Sequence, residues 1–99
     1  MNAAIRSEVS VNEPVLYVAF ELGQKEWKLA MTSGFGQQPW LRTVAGGDLD
    51  AVERAVRNGR QRLGLPASAR VVSCYEAGRD GFWIHRAVQR LGFENRVAD

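Results

Sequence analysis

The chain has 99 residues, of which 45% are hydrophobic, and a formal net charge of +2. This length predicts one small domain. The sequence has no long apolar run and no signal-peptide core, so we expect neither a membrane span nor export. The single cysteine, Cys74, excludes an internal disulfide and a cysteine-based zinc site, so that a cytoplasmic location is expected.

The first strand is predicted after a polar N-terminal segment. Residues 1–14 lack hydrophobic periodicity, and we expect them to form a flexible tail. Residues 15–20 are an apolar run with β-branched and aromatic members, which predicts a strand buried on both faces. Glu21 follows directly, so this strand ends in a carboxylate.

Two further strands complete a meander. Residues 27–32 alternate apolar with polar or small side chains, which predicts a half-exposed strand. Residues 40–44 predict a third strand after another turn. The links are too short for a parallel crossover, so both pairings are expected to be antiparallel.

An amphipathic helix is predicted next, with Asp48 as its N-cap and with Gly64 and Pro66 ending it. Its interior Gly59 weakens it by up to about 1 kcal/mol relative to Ala. Apolar residues at helical spacing share one face: Leu49, Val52, Val56 and Leu63.

Arginines collect on and after this helix. The stretch from residue 54 to residue 70 holds five of them and no acid: Arg54, Arg57, Arg60, Arg62 and Arg70. The planar guanidinium suits phosphate, so a nucleic-acid partner is permitted, with Arg57 and Arg60 as candidate contacts.

The fourth strand is predicted at residues 70–75. It is rich in apolar residues, so Cys74 is expected to be a small buried hydrophobe rather than a reactive thiol. Glu76 follows, and a glycine-containing turn comes after it. Open α/β sheets place their chemistry at the carboxyl ends of strands. Glu76 is therefore either a site carboxylate or a solvated turn residue.

A second helix is predicted to begin at Asp80 or Gly81, and a fifth strand at residues 96–99. Four apolar residues of the helix are expected to face the sheet: Phe82, Ile84, Val88 and Leu91. His85 is interpreted as a surface or packing residue, with a general base as the alternative. The three tryptophans are expected to pack rather than stack on bases.

The predicted order is β-β-β-α-β-α-β. The long helical links make strands one, four and five parallel, with strands two and three as an antiparallel wing on strand one. This is the arrangement of a ribonuclease-H-like mixed five-stranded sheet. Because strands one and four would be neighbours, we expect Glu21 and Glu76 to meet at their carboxyl ends.

Three stretches resemble one family. Residues 73–86 (SCYEAGRDGFWIHR), 20–30 (FELGQKEWKLA) and 92–99 (GFENRVAD) resemble the RuvC-like N-terminal domain of the DEDD transposases of bacterial insertion sequences, the family numbered one hundred and ten. The resemblance implies DNA transposition, that is, metal-dependent cleavage and joining of DNA strands. It identifies residues 15–99 as a partial RuvC/ribonuclease-H-like catalytic domain, truncated after strand five.

The resemblance also implies site residues. Glu21, where the family has Asp, and Glu76 would be catalytic ligands of Mg²⁺ or Mn²⁺. The remaining two acids of the family lie beyond strand five, so the metal would bind weakly and the chain is expected to be inactive alone. Asp99 ends a strand near the crevice and is a further, less direct candidate ligand.

The resemblance also implies partners. Arg79 and Arg86 are candidate DNA-phosphate contacts, although Arg79 is equally interpretable as a surface residue or a partner of Asp80. Members of the family act as multimers, and some use a guide RNA. Two alternatives stay open: a nucleic-acid-binding module without chemistry, and an α/β module that self-associates through an exposed edge strand.

Overall fold

A computed structural model describes residues 13–34, 36–76 and 82–98. Seven elements follow in the predicted order: β1 (Val15–Leu22), β2 (Glu26–Thr32), β3 (Trp40–Ala45), α1 (Leu49–Arg62), β4 (Arg70–Glu76), α2 (Trp83–Arg90) and β5 (Glu94–Ala98). Most of the predicted tail and the predicted helix starts at Asp80 and Gly81 lie outside the described residues. Within those residues, no helix is long and apolar enough to cross a membrane.

The five strands form one mixed sheet in the order β3-β2-β1-β4-β5. β1 pairs antiparallel with β2 and parallel with β4, while β2 pairs antiparallel with β3 and β4 parallel with β5. The prediction of three parallel strands with an antiparallel wing is confirmed. This topology is compatible with a ribonuclease-H-like fold.

Both helices pack on the same face of the sheet, here called the helix-covered face. In β1, Leu16, Val18 and Phe20 are buried, whereas Tyr17 and Ala19 between them are exposed. The prediction that this strand is buried on both faces is wrong, because α1 and α2 cover only one of them. The opposite face is called the open face. Each apolar side chain that the helices fully bury stabilises the fold by roughly 1.5–3 kcal/mol.

The same alternation corrects the prediction for Cys74. In β4, Val71, Ser73 and Tyr75 are buried against the helices, and Cys74 points to the open face, where it is exposed. The apolar composition of the stretch indicated burial, but its position in the alternation decides which face the side chain takes. In β2 the predicted half-exposure is confirmed.

The helix signals in the sequence are mostly confirmed. The Asp48 carboxylate accepts a hydrogen bond from the backbone N–H of Ala51 at 3.0 Å, and Gly64 adopts a φ of 73° just after α1. In α2, Ile84 and Val88 are buried as predicted. Phe82 is not: it occupies the N-cap position, before the helical stripe begins, and is 62% exposed.

Gly59 allows α1 to approach the sheet closely. A Cβ atom built on this buried glycine would lie 2.7 Å from Sδ of Met31, a residue of β2 that is itself fully buried. The sequence indicated only the helix-weakening effect of this glycine. Its structural role is to let the C-terminal part of α1 contact β2.

We expect Gly59→Val to lower the free energy of unfolding by about 2 kcal/mol, because overpacking a core typically costs 1–3 kcal/mol. Asn58→Val, at the exposed neighbouring position of α1, should change it by less than about 1 kcal/mol. Chemical denaturation of both variants measures the difference. Equal effects would contradict the close approach at Gly59.

A guanidinium links β4 to β5 at the start of the parallel strands. Nε and Nη2 of Arg70 donate to the two carboxylate oxygens of Glu94 at 2.7 and 2.6 Å, and Nη1 donates to Glu13 at 2.8 Å. These hydrogen bonds lower the pKa of the Glu94 carboxyl. The bidentate geometry holds the two strands in register.

A carboxyl whose pKa is lowered on folding stabilises the folded state above its unfolded pKa of about 4.3, and this stability is lost as the pH falls through the folded pKa. We expect Glu94→Gln to reduce the free energy of unfolding at pH 7 by at most about 1 kcal/mol, because the Glu94 side chain is 42% exposed and screened. The difference between wild type and variant should shrink below about pH 4. Glu26→Gln is the matched control, and a difference that stays constant to pH 2 would exclude this linkage.

Candidate metal and nucleic-acid site

Two carboxylates lie at the ends of neighbouring parallel strands. Glu21 is the penultimate residue of β1, Glu76 is the last residue of β4, and both are exposed. The parallel register pairs Ala19 with Cys74, two residues before each glutamate. Since side chains alternate along a strand, Glu21 and Glu76 extend from the same open face as Ala19 and Cys74. They lie on adjacent strands at the same level of the sheet.

A lysine that the sequence analysis did not single out lies beside Glu21. Lys28 of β2 is the direct register partner of Glu21 across the antiparallel pair, and it is exposed. Opposite charges at such positions attract by roughly 0.2–1 kcal/mol. Both residues line a shallow cavity of about 360 Å³ at the β1–β2 turn. The signal was present in the sequence, since a short hairpin with a defined turn fixes which residues face each other.

The same two residues also border a second cavity of about 490 Å³ on the open face, between β1, β2 and β3. Its floor includes Ala19, Ala30 and Leu41, so it is mostly apolar beside a charged rim. The end of β1 is therefore an accessible edge with room for a ligand on either side of Glu21.

The donor set of this edge is small. Two carboxylates offer hard oxygen ligands of the kind that Mg²⁺ and Mn²⁺ prefer. Within residues 13–34, 36–76 and 82–98, no group of three or more His, Cys, Asp or Glu side chains could hold a metal ion. Asp99 lies outside these ranges. Two carboxylates alone would leave most of the coordination of such an ion to water and to a substrate phosphate.

The candidate arginines do not join the carboxylates. Arg57 on α1 and Arg86 on α2 are exposed, but both helices lie on the helix-covered face, opposite Glu21 and Glu76. Arg60 is half-buried, and its Nε donates to the backbone carbonyl of Ala69 at 3.2 Å, which ties the end of α1 to the start of β4. Arg79 lies outside the described residues.

His85 belongs to a polar network under α2. The Ser73 hydroxyl donates to Oδ1 of Asn95 at 2.7 Å, and Nδ2 of Asn95 lies 2.9 Å from Nδ1 of His85. Since the amide nitrogen is the donor, Nδ1 accepts, and a neutral imidazole carries its proton on Nε2. Ser73 and Asn95 are buried. The ring is thus held on the helix-covered face, away from the carboxylates, which favours the packing interpretation of His85.

The aromatic residues divide between the core and the surface. Trp27 is buried, and its ring centroid lies 6.3 Å from that of Phe20 and 6.0 Å from that of Trp83. Trp83 is 43% exposed at the start of α2. Trp40 is half-buried and packs against the core from β3. The prediction that the tryptophans pack is confirmed fully for Trp27 only, since the other two keep exposed surface.

Comparison with known proteins gives a similarity over almost the whole chain. The chain is 30% identical over 96 residues to the protein named "Putative transposase y4rJ" of Sinorhizobium fredii (strain NBRC 101917 / NGR234). The match covers 92% of this chain and 24% of y4rJ, so the chain spans about a quarter of the length of that relative. No family model and no solved structure matches the chain.

The buried network generates a stability prediction. Asn95→Ala removes the acceptor of the Ser73 hydroxyl and the neighbour of His85, and leaving buried polar groups unsatisfied costs about 1–3 kcal/mol. We expect a loss of this size in the free energy of unfolding, measured by chemical denaturation, and little change for Asn58→Ala on the exposed side of α1.

The double variant Ser73→Ala/Asn95→Leu should recover part of the loss, because it replaces both partners with apolar groups. If Asn95→Ala were as stable as the wild type, the network would not contribute to folding.

Proposed function

We propose that this chain supplies two metal-binding carboxylates of a RuvC-like nuclease domain, in a transposase that cleaves and joins DNA strands. The observation that carries the proposal is that Glu21 and Glu76 lie at the ends of hydrogen-bonded parallel strands and on one open face of the sheet. Residues 15–99 are then the N-terminal part of a ribonuclease-H-like catalytic domain.

The chemistry of the donors supports Mg²⁺ or Mn²⁺ as the cofactor. Glu21 and Glu76 would hold the cation through hard carboxylate oxygens, at an exposed edge that a phosphodiester can reach. When bound, such ions activate an attacking oxygen and stabilise the leaving oxygen of a phosphodiester. Lys28, opposite Glu21, offers an ammonium group to the incoming phosphate.

The similarity to y4rJ supports a transposase origin, because that protein is named as a transposase and the match covers 92% of this chain. The finer assignment, to the insertion-sequence family numbered one hundred and ten, rests on the three resembling stretches, two of which contain Glu21 and Glu76. Since the chain spans about a quarter of y4rJ, the strand-transfer reaction of a whole protein is itself part of the proposal.

DNA is the proposed partner. Arg57 and Arg86 are exposed and available for phosphate, whereas Arg60 already donates one N–H to a backbone carbonyl. Arg79, in the motif that follows Glu76, remains a proposed phosphate contact because of the family resemblance. A guide RNA and a homo-oligomer follow from the family resemblance alone, and we assign no residue to either.

The alternative is a nucleic-acid-binding or self-associating module without chemistry. The exposed arginines of α1 favour this alternative, because they lie on the opposite face of the sheet from Glu21 and Glu76. It predicts DNA binding that is unchanged by chelation of divalent metal and that weakens steeply with salt.

The metal site is tested by paramagnetic NMR on the 99-residue chain. We expect substoichiometric Mn²⁺ to broaden the amide signals around Glu21 and Glu76 before others, because both residues ligate one ion. The double variant Glu21→Gln/Glu76→Gln should lose this broadening. Its matched control, Asp50→Asn/Glu53→Gln, removes two exposed carboxylates of α1 and should keep it.

Broadening confined to other parts of the chain, or broadening that survives in Glu21→Gln/Glu76→Gln, would exclude this metal site. The measurement does not require strand cleavage, which is expected to be absent from this chain alone.

A further inference from the structure

Trp40 lies close to two arginines at the outer edge of the sheet. The Arg42 guanidinium carbon is 3.8 Å from the centroid of the Trp40 ring, and that of Arg62 is 5.7 Å from it. Arg42 comes from β3 and Arg62 from the last turn of α1, so two elements distant in sequence contribute to one cluster. We call these three residues the Trp40 cluster.

The ring gives the cluster a fixed base. Trp40 is half-buried, packs against the hydrophobic core and is held in the sheet by pairing with Met31 of β2. A guanidinium stacked on an aromatic ring uses its face, so its N–H groups, which lie in its plane, stay available. Nη1 of Arg42 donates to the Leu41 carbonyl at 3.2 Å, which further restricts the side chain.

The positive charge of the cluster is not neutralised locally. Arg42 and Arg62 are exposed, and within the described parts of the chain neither has a carboxylate within 4.0 Å. The chain between residues 54 and 70 contains no acid.

We propose that the Trp40 cluster is a second nucleic-acid contact, which holds backbone phosphate through the Arg42 and Arg62 guanidinium groups. Arg42 at 3.8 Å and Arg62 at 5.7 Å from the ring centroid bring two planar guanidinium groups to one anchored ring, and such forks suit the oxygens of a polyanionic strand. The choice of nucleic acid rests on the proposed function. Trp40 and Arg42 are the register partners of Met31 and Leu29, which are buried on the helix-covered face, so the cluster lies on the opposite face from Glu21; Arg42 also borders the cavity of about 490 Å³ at the sheet edge.

The experiment measures binding of a fluorescein-labelled DNA duplex to the 99-residue chain by anisotropy, in EDTA and at several salt concentrations. Arg42→Ala/Arg62→Ala should reduce the slope of log affinity against log salt by about 1.8, since each lost phosphate contact contributes roughly 0.9. Arg90→Ala/Arg96→Ala removes two exposed arginines elsewhere and should leave most of the slope. Equal losses in both double variants would overturn the proposal.

Four further measurements separate the cluster from simpler explanations. Arg42→Lys/Arg62→Lys keeps the charge but loses the stacked fork, and undiminished affinity would exclude the preorganised site. The Trp40 indole N–H signal, assigned with Trp40→Phe, should shift on DNA titration. Equal binding to poly-glutamate, or an equal indole shift with inorganic phosphate at the same phosphate concentration, would identify a general anion site and overturn the proposal.

β3 is also an edge strand, and charged side chains protect such edges from pairing with other chains. Light scattering of Arg42→Ala/Arg62→Ala tests this role. Self-association with unchanged DNA affinity would assign the arginines to edge protection instead. Because all DNA measurements use EDTA, failure of the metal site would leave this result unaffected.

Discussion

One-sided packing of the sheet determines where everything else in this chain lies. Both helices bury alternate side chains of β1, β2 and β4 on one face, and Leu16, Leu29 and Ile84 lose all solvent contact there. The other side chains of these strands lie on the open face, which none of the described residues (13–34, 36–76 and 82–98) covers with a second layer. Polar and charged residues at those positions, including Glu21, Lys28 and Glu76, therefore stay accessible.

Much of the fold was predictable because the signals are local. Link length separates antiparallel hairpins from parallel crossovers, and this fixed the order of the strands. The cap at Asp48 and the glycine after α1 follow from short-range backbone chemistry. The prediction that β1 is buried on both faces was wrong, because a short apolar run does not distinguish a half-buried from a fully buried strand. The predictions for Cys74 and Phe82 were also wrong: the face that Cys74 takes depends on where the helices pack, and Phe82 is the N-cap residue that precedes the helix.

Part of the candidate site could likewise be predicted from the sequence, and part could not. The position of Glu21 and Glu76 at the carboxyl ends of two neighbouring parallel strands could be predicted from the order of the elements. The position of Lys28 opposite Glu21 depends on the register of the hairpin, which the geometry of the turn determines. The Trp40 cluster required contact between an edge strand and the end of a helix: strand alternation places Trp40 and Arg42 on one face, but no spacing rule along the chain relates them to Arg62. The networks of Arg70 and His85 likewise join side chains that only the assembled fold brings together.

The mixed pairing of β1 has a consequence for the order of folding. Its antiparallel partner β2 follows within a few residues, whereas its parallel partner β4 comes only after β3 and the whole of α1. Closing the longer loop between β1 and β4 costs more chain entropy than closing the β1–β2 turn, so the meander is able to form early. One edge of β1 then stays unpaired until β4 is added. During synthesis, that unpaired edge is exposed until the ribosome has delivered the second half of the chain.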